Sequence, residues 1–381
     1  MKRNLTALLT AGLVAASLIA GCGSGSSSSS SASGTASASG AASASNTASA
    51  SGTKASSSSV SSESAGNSIS GTASSSASSS EEEYTTENEY SIDLILKTTA
   101  SEYWQYVVAG ANAYAKAHPN IKVDVKGASS ETAYDEQQNM IETDLNSGAY
   151  DGYIIAPLQA DLAAKLIAGQ TKPIIAIDTK IEAPEIVTFV GLDQEEAAKQ
   201  GGTAAVQMAK DAGWDTIKAI CISGVQGDGT CMARLKGYQE GIDEAGGEFL
   251  TDEVQYADAV ADKAVNCMEG IIQTHPEGVA IICANNDDMA QAAARTAAGN
   301  EAYKNTIFVG FDATKSACES MLNGQETMSV GYSSYGMAQK AIETMVKILD
   351  GQEVGETVTV DSEIVTKDNA EQRLETLKSY V

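Results

Sequence analysis

SIDLILKTTASEYWQYVVAGANAYAKAHPNIKVDV, residues 91–125, contains a short apolar strand pattern, a longer helical pattern and a second strand pattern in succession. The apolar runs fall at 92–96 and 121–125, and the amphipathic stretch at 106–117 lies between them. Pro119 follows the helical pattern and predicts its end, because proline disfavours helical geometry in the residue before it. A strand, a helix and a strand in this order predict two parallel strands joined by a right-handed crossover.

The same alternation continues towards the C-terminus. Further strand patterns lie at 153–155, 174–177, 217–222, 279–282 and 307–309, and further amphipathic stretches at 195–212, 234–245 and 339–349. A second His-Pro step, His275-Pro276, repeats the helix end of His118-Pro119. Residues 89–381 are numerous enough for two domains of ordinary size. We therefore predict an α/β fold with two doubly wound lobes of parallel sheet.

The N-terminus has the layout of an exported protein. Lys2 and Arg3 precede an apolar stretch that ends at Ala20, which predicts a signal peptide over residues 1–21. The following residues, Ile19-Ala20-Gly21-Cys22, resemble the lipobox of bacterial lipoproteins, which implies lipidation of Cys22. An ordinary cleaved signal beside a chance cysteine is the alternative. Lipidation would place the protein on the extracytoplasmic face of the cell membrane.

A tether is predicted between this signal and the folded part, over residues 22–89. From residue 23 to about residue 80 the chain is almost wholly Ser, Ala, Gly and Thr. Such a composition buries too little apolar surface to offset the entropy of ordering, so we expect disorder. A glycosylated stalk would use the same composition, and the sequence leaves both open.

The charge disfavours nucleic-acid binding. The chain carries a formal net charge of −26. Its first 89 residues hold three basic and six acidic side chains, which leaves −23 for the remainder. An acidic surface without a basic stripe repels phosphate backbones.

Residues typical of catalysis or cofactor binding are sparse. The two histidines both lie in the His-Pro steps, and no Ser-His-Asp, HExxH or metal-ligand spacing occurs. The loop at 224–230 is rich in glycine but lacks the lysine of a phosphate-binding loop. We therefore expect neither an enzyme nor a cofactor or metal.

The five cysteines after Cys22 match no CxxC motif. Cys221 and Cys283 lie in apolar runs and are expected to be buried thiols. The pairing of Cys231, Cys267 and Cys318 stays open.

Polar and aromatic residues follow the predicted strands, where open α/β sheets bind their ligands. They lie at 98–104, 156–159, 178–179, 226–229, 285–287, 312 and 332–333, with Arg234 nearby. Aromatic rings suit the C–H faces of a sugar, while carboxylates and amides suit its hydroxyls. This set predicts a site for a small, polyhydroxylated, neutral ligand.

Three of these stretches carry a resemblance to a known family. ARLKG at 233–237, NNDDMA at 285–290 and VGFD at 309–312 resemble the ribose- and galactose-binding type of periplasmic solute-binding protein, and the likeness runs from about 92 to 365. The resemblance implies a monomer that captures a monosaccharide and delivers it to the permease of an ABC transporter. A sensory protein that presents a sugar or furanose signal to a membrane receptor is the alternative.

The resemblance also implies the roles of individual residues. It places aromatic stacking at Tyr103 and Trp104, a hydroxyl acceptor at Asp178 and a donor at Arg234. Further ligand contacts in the second lobe fall at Asn286, Asp312 and Tyr332.

Three departures from the ribose-binding pattern make ribose itself doubtful. Thr179 stands in place of an arginine, Ala259 in place of a stacking ring, and Tyr332 in place of a glutamine. A hexose, another pentose, a polyol and a furanose stay open.

The domain boundaries follow from the same resemblance. Lobe 1 is expected at 90–192 and 333–361, and lobe 2 at 193–332 and 362–381. The three crossings form a hinge about which the lobes would close on the ligand.

Overall fold

The computed structural model describes residues 84–380, and its strands form two separate sheets. Within that range the strands are β1 (Tyr90–Thr98), β2 (Ile121–Ala128), β3 (Gly152–Ile155), β4 (Ile174–Ile177), β5 (Ile186–Gly191), β6 (Lys218–Ser223), β7 (Glu248–Phe249), β8 (Gln255–Tyr256), β9 (Ile281–Ala284), β10 (Ile307–Asp312), β11 (Met328–Tyr332), β12 (Thr357–Thr359) and β13 (Ser362–Thr366). The signal peptide, Cys22 and all of the predicted tether before residue 84 lie outside the described residues.

The α-helices alternate with these strands. They are α1 (Glu102–Ala117), α2 (Tyr134–Ser147), α3 (Ala160–Leu166), α4 (Gln194–Asp211), α5 (Gly229–Glu244), α6 (Ala261–Thr274), α7 (Asp287–Ala297), α8 (Lys315–Leu322), α9 (Ser334–Leu349) and α10 (Ala370–Lys378). His118 and His275 are the C-caps of α1 and α6, as the two His-Pro steps predicted. In the range 84–380, no helix is both long and apolar enough to span a membrane.

The first sheet has the strand order β12-β5-β4-β3-β1-β2, with every pair parallel. The second has the order β13-β11-β10-β9-β6-β7, and β8 also pairs with β6. The predicted fold of two parallel sheets is confirmed, with one departure. β13 runs antiparallel to β11, because it returns directly from the first sheet without a helical crossover.

The chain passes between the two sheets at three places. It leaves the first sheet after β5 and enters α4, it returns between β11 and α9, and it leaves again between β12 and β13. Asp193 and Ser333 stand at the first two passages and cap the helices that follow, since their side chains accept from the amides of Glu196 and Gly336. We propose that these three passages are the hinge that the resemblance implied at 192–193, 332–333 and 361–362.

Helices α4 and α5 pack with their backbones unusually close. A Cβ atom at Gly237 would overlap the carbonyl oxygen of Glu195, and a Cβ at Gly241 would overlap that of Lys199. Glycine at these positions therefore sets the distance between two helices that cover the second sheet. Arg234 lies on α5, so this packing also fixes where its guanidinium can reach.

The five cysteines of the described chain are all free thiols. Cys221 and Cys283 are buried and face each other as register partners on β6 and β9. This matches the expectation that both act as small apolar side chains.

Gly237→Ala tests the α4–α5 packing. We expect it to destabilise the protein by about 1–3 kcal/mol, because the added methyl group forces two backbones apart. Gly270→Ala is the matched control, since Gly270 lies on α6 with open space around it. That control should stabilise by up to about 1 kcal/mol through helix propensity. Urea unfolding of both variants measures the difference, and equal stabilities would contradict the packing argument.

Candidate functional site

A cavity lies between the facing edges of the two sheets. It encloses 560 Å³ of space, its open mouth included. Because parallel strands present their carboxyl ends at one edge, the residues after β1 and β4 line one wall. The residues after β6, β9 and β10 line the other. The lining comprises Lys97, Ser101, Glu102, Tyr103, Trp104, Glu131, Asp178, Asp228, Thr230, Cys231, Arg234, Ala259, Asn285, Asn286, Asp287, Asp288, Asp312 and Thr314.

A chain of hydrogen bonds crosses from one lobe to the other at the back of this cavity. Arg234 donates to the Tyr332 hydroxyl at 3.3 Å, and that hydroxyl donates to the Tyr103 hydroxyl at 2.7 Å. Tyr103 in turn donates to Asp178 Oδ1 at 2.7 Å. Burial and the nearby charge of Asp178 hold the pKa of both tyrosines well above the ordinary value. Both hydroxyls therefore keep their protons and act as donors.

Arg234 is fixed on every side. Its Nε donates to Gln194 Oε1 at 2.8 Å and one terminal nitrogen to the Asn285 carbonyl oxygen at 2.5 Å. The guanidinium carbon lies 3.7 Å from the centre of the Phe311 ring, and the other terminal nitrogen lies 3.3 Å from Asp312 Oδ1. Burial opposes the charge of Arg234, but Asp312, Asp178 and the two tyrosines together outweigh it and raise the arginine's pKa. The side chain is thus a rigid, permanent cation.

Asp312 projects from the end of β10 in a strained conformation. Its φ is +102° and that of Ala313 is +46°, in the region that favours glycine. Arg373 on α10 holds this turn, since its guanidinium donates to the carbonyl oxygens of Asp312, Ala313 and Tyr332. Burial raises the pKa of the Asp312 carboxyl well above its usual range, although Arg234 opposes the shift. Its Oδ1 atom is buried and receives no hydrogen bond.

Lys97 at the end of β1 forms a buried ion pair with Asp228 across the cleft, with Nζ and Oδ2 2.6 Å apart. Burial alone would lower the pKa of Lys97, but the charges of Asp228 and Asp178 raise it above the ordinary value. The same lysine lowers the pKa of Asp228 in spite of burial. Both groups are therefore charged. A second contact joins the same walls, where the Thr179 and Thr230 hydroxyls lie 2.6 Å apart.

The two asparagines after β9 are engaged by the backbone. Asn286 caps α7, because its Oδ1 accepts from the Met289 amide, and its Nδ2 donates to the Ala259 carbonyl oxygen. Asn285 likewise binds the Gly224 amide and the Cys231 carbonyl oxygen. Both residues shape the wall of the cavity, and their amides hold the loops that carry Ala259 and Cys231.

Comparison with known proteins identifies the family of the chain. Residues 92–353 match the model of the periplasmic binding protein domain. The chain belongs to this family. The ribose import binding protein of Bacillus subtilis is 24% identical over 73% of this chain and 87% of its own length. The D-apiose import binding protein of Paraburkholderia graminis is 27% identical over 62% of this chain and 75% of its own.

A solved structure agrees with this periplasmic binding protein assignment. The carbohydrate transporter solute-binding protein of Agrobacterium radiobacter, in complex with D-arabinose, superposes with a TM-score of 0.70 at 25% identity. The match covers 77% of this chain and 99% of the other.

Most of the residues that the sequence suggested meet at the cavity of this periplasmic binding protein. Those that line it are Tyr103, Trp104, Asp178, Arg234, Asn286 and Asp312. Tyr332 lies behind the cavity wall, where its hydroxyl joins Arg234 to Tyr103. Ala259, expected to replace a stacking ring, also lines the cavity.

Sequence reasoning missed Lys97, Glu131 and Arg373. Lys97 looked like the polar end of an apolar strand, although its place at the carboxyl end of β1 was a usable signal. Glu131 lies in a loop after β2 and accepts from the Trp104 indole N–H at 3.0 Å. Arg373 lies on α10, and the sequence of this helix contains no motif that pointed to the site. Within residues 84–380, no cluster of three or more His, Cys, Asp or Glu side chains could hold a metal ion.

Lys97→Met tests whether the ion pair with Asp228 holds the cleft closed. Removing one member of a buried pair costs about 3–5 kcal/mol, because the other charge stays buried without a partner. We expect the lobes to separate, which raises the radius of gyration in small-angle X-ray scattering. Lys97→Met/Asp228→Asn should return towards the wild-type value, since asparagine keeps the helix cap and removes the charge. Identical scattering from all three proteins would contradict this role.

Proposed function

We propose that the protein is an extracytoplasmic solute-binding protein that captures a monosaccharide-sized ligand by closing its two lobes and delivers it to the permease of an ABC transporter. The proposal is supported by the family and by relatives named for the import of ribose and D-apiose. A structural relative at 25% identity is named as a carbohydrate transporter component.

One observation carries the proposal. Asp178 follows a strand of the first sheet, whereas Arg234 and Asp312 belong to elements of the second lobe, and all three line one cavity. A ligand between them gains contacts with both lobes only when the cleft is shut. This difference in contact free energy is what shifts a two-state protein towards its closed form.

The chemistry of the walls suits a hydroxylated ring. Trp104 and Tyr103 provide aromatic surface, and their rings meet edge to face with centroids 4.9 Å apart. Asp312 and Asp178 offer acceptor oxygens and Arg234 offers donors. Thr179 and Ala259, where the ribose pattern has an arginine and a ring, leave more space and one cation fewer. We therefore propose that the ligand differs from ribose.

The proposal also includes attachment of the protein to the membrane. A signal peptide at 1–21 would direct export, and a lipidated Cys22 would then hold the protein at the outer face of the cell membrane as a monomer. The stretch between Cys22 and residue 84, where the described fold begins, would let the binding domain reach a permease in that membrane. Two acyl chains suffice for durable attachment.

The ligand class is tested with a panel of pentoses, hexoses, polyols and amino acids in a thermal-shift assay. A ligand that binds only the native state must raise the melting temperature. We expect at least one sugar or polyol to do so. A panel in which only amino acids stabilise the protein would contradict the assignment.

Arg234→Met and Asp312→Asn then test the site. We expect each to weaken calorimetric binding of that ligand at least tenfold, because each leaves buried ligand hydroxyls without their partners. Asp211→Asn, at an exposed position at the end of α4, is the control and should bind as the wild type does. Wild-type affinity in both cleft variants would refute the site.

Cys22→Ser tests the anchor. If Cys22 carries acyl chains, the wild-type protein should fractionate with membranes and the variant should be released. Mass spectrometry of the purified wild type should show the mass of the lipid at the N-terminus. A wild type that is soluble and unmodified would contradict anchoring while leaving the ligand site untouched.

A further inference from the structure

The cleft holds more negative than positive charge. Nine charged side chains line it, two of them cations and seven of them carboxylates: Lys97, Arg234, Glu102, Glu131, Asp178, Asp228, Asp287, Asp288 and Asp312. With all nine ionised, the lining has a formal charge of −5. A buried surplus of this kind is costly unless a cation compensates for it.

Both cations are already committed to partners within the protein. Lys97 pairs with Asp228 at 2.6 Å and lies 4.0 Å from Asp178. Arg234 forms an ion pair with Asp312 at 3.3 Å, and its hydrogen bonds go to Gln194, Asn285 and Tyr332. Among the described residues, no further cation lines the cavity to compensate Asp178 and Glu131.

Two carboxylates are left short of donors. Asp312 is 92% buried and its Oδ1 atom, on the cavity wall, accepts no hydrogen bond. Glu131 accepts one hydrogen bond, from the Trp104 indole. Asp178, by contrast, accepts from the hydroxyls of Tyr103 and Thr179. The unmet demand for hydrogen-bond donors therefore lies at Asp312 and Glu131.

Two of the other carboxylates around the cavity, Glu102 and Asp287, are engaged by the protein. Glu102 accepts from the backbone amides of Lys315 and Ser316 at the start of α8. Asp287 accepts from Thr314 and Ser329. These groups add to the negative potential of the cleft without offering it a vacant acceptor.

From this imbalance we propose that the ligand is a monosaccharide-sized polyol that carries a protonated amine, an amino sugar or an amino polyol. An ammonium group brings three donors and the missing positive charge, whereas a hydroxyl brings one donor and no charge. Hydrogen bonds between ionised groups are roughly twice as strong as neutral ones. The same potential repels uronic acids and sugar phosphates. This inference rests on the proposed function and names the ligand class of the same site.

The test is isothermal titration calorimetry of the full chain with matched sugars. Each set keeps one ring and changes one group: D-glucose, D-glucosamine, N-acetyl-D-glucosamine and D-glucuronate, the corresponding galactose series, and myo-inositol with an amino-inositol. We expect the amine to bind at least about tenfold more tightly than the hydroxyl congener in at least one series. N-acetylation should remove this advantage because it removes the charge.

Variants show whether the carboxylates cause the preference. In Asp312→Asn and Glu131→Gln the ratio of amine to hydroxyl affinity should fall at least tenfold for one or both. Glu301→Gln, at an exposed position far from the cleft, should leave the ratio unchanged.

The outcomes separate the two proposals. If neutral sugars bind as tightly as their amines, or uronates bind more tightly, the inference is overturned and the sugar-binding function stands. If the amine is preferred but neither variant lowers the ratio, the assignment to these two carboxylates is overturned. If no sugar of any charge binds, both proposals fail.

Discussion

Parallel strands end at one edge of their sheet, and two such edges face each other here. Everything at the site depends on this constraint, because it turns residues that are far apart in sequence into one polar surface. Asp178 and Arg234 are brought to one cavity only because β4 and β6, the strands that precede them, belong to sheets that face across a cleft. The buried hydrogen-bonded path through Tyr332 and Tyr103 then sets the distance between the two walls.

Much of the fold and of the site could be predicted from the sequence. Alternating strands and helices are compatible with few topologies, and the polar residues that follow apolar runs mark where the strands end. Asp178 and Asp312 were predictable because each ends an apolar run. The position of Lys97 after an apolar run was a signal of the same kind, but its buried ion pair was not predictable, because Asp228 comes from the opposite lobe. The antiparallel strand β13 was not predicted for a related reason. It pairs with β11 only because the chain passes from one lobe to the other before it, and no local sequence pattern indicates this pairing.

The role of Asn286 shows the limit of motif transfer. Its position matches the family pattern, yet its side-chain amide caps α7 and hydrogen-bonds the Ala259 carbonyl oxygen. Buried polar groups must be satisfied within the protein before they can serve a ligand. By the same rule Asp312 is the residue prepared for a ligand, because its buried Oδ1 accepts no hydrogen bond and Arg373 holds its strained backbone.

Closure is the claim on which the functional account depends. A crystal structure with the tightest-binding sugar from the panel tests it most directly. The account predicts ligand density between Asp178 on one wall and Arg234 and Asp312 on the other, with the Lys97–Asp228 pair formed beside it. Density on the outer surface, or contact with only one lobe while the two walls stay apart, would contradict it.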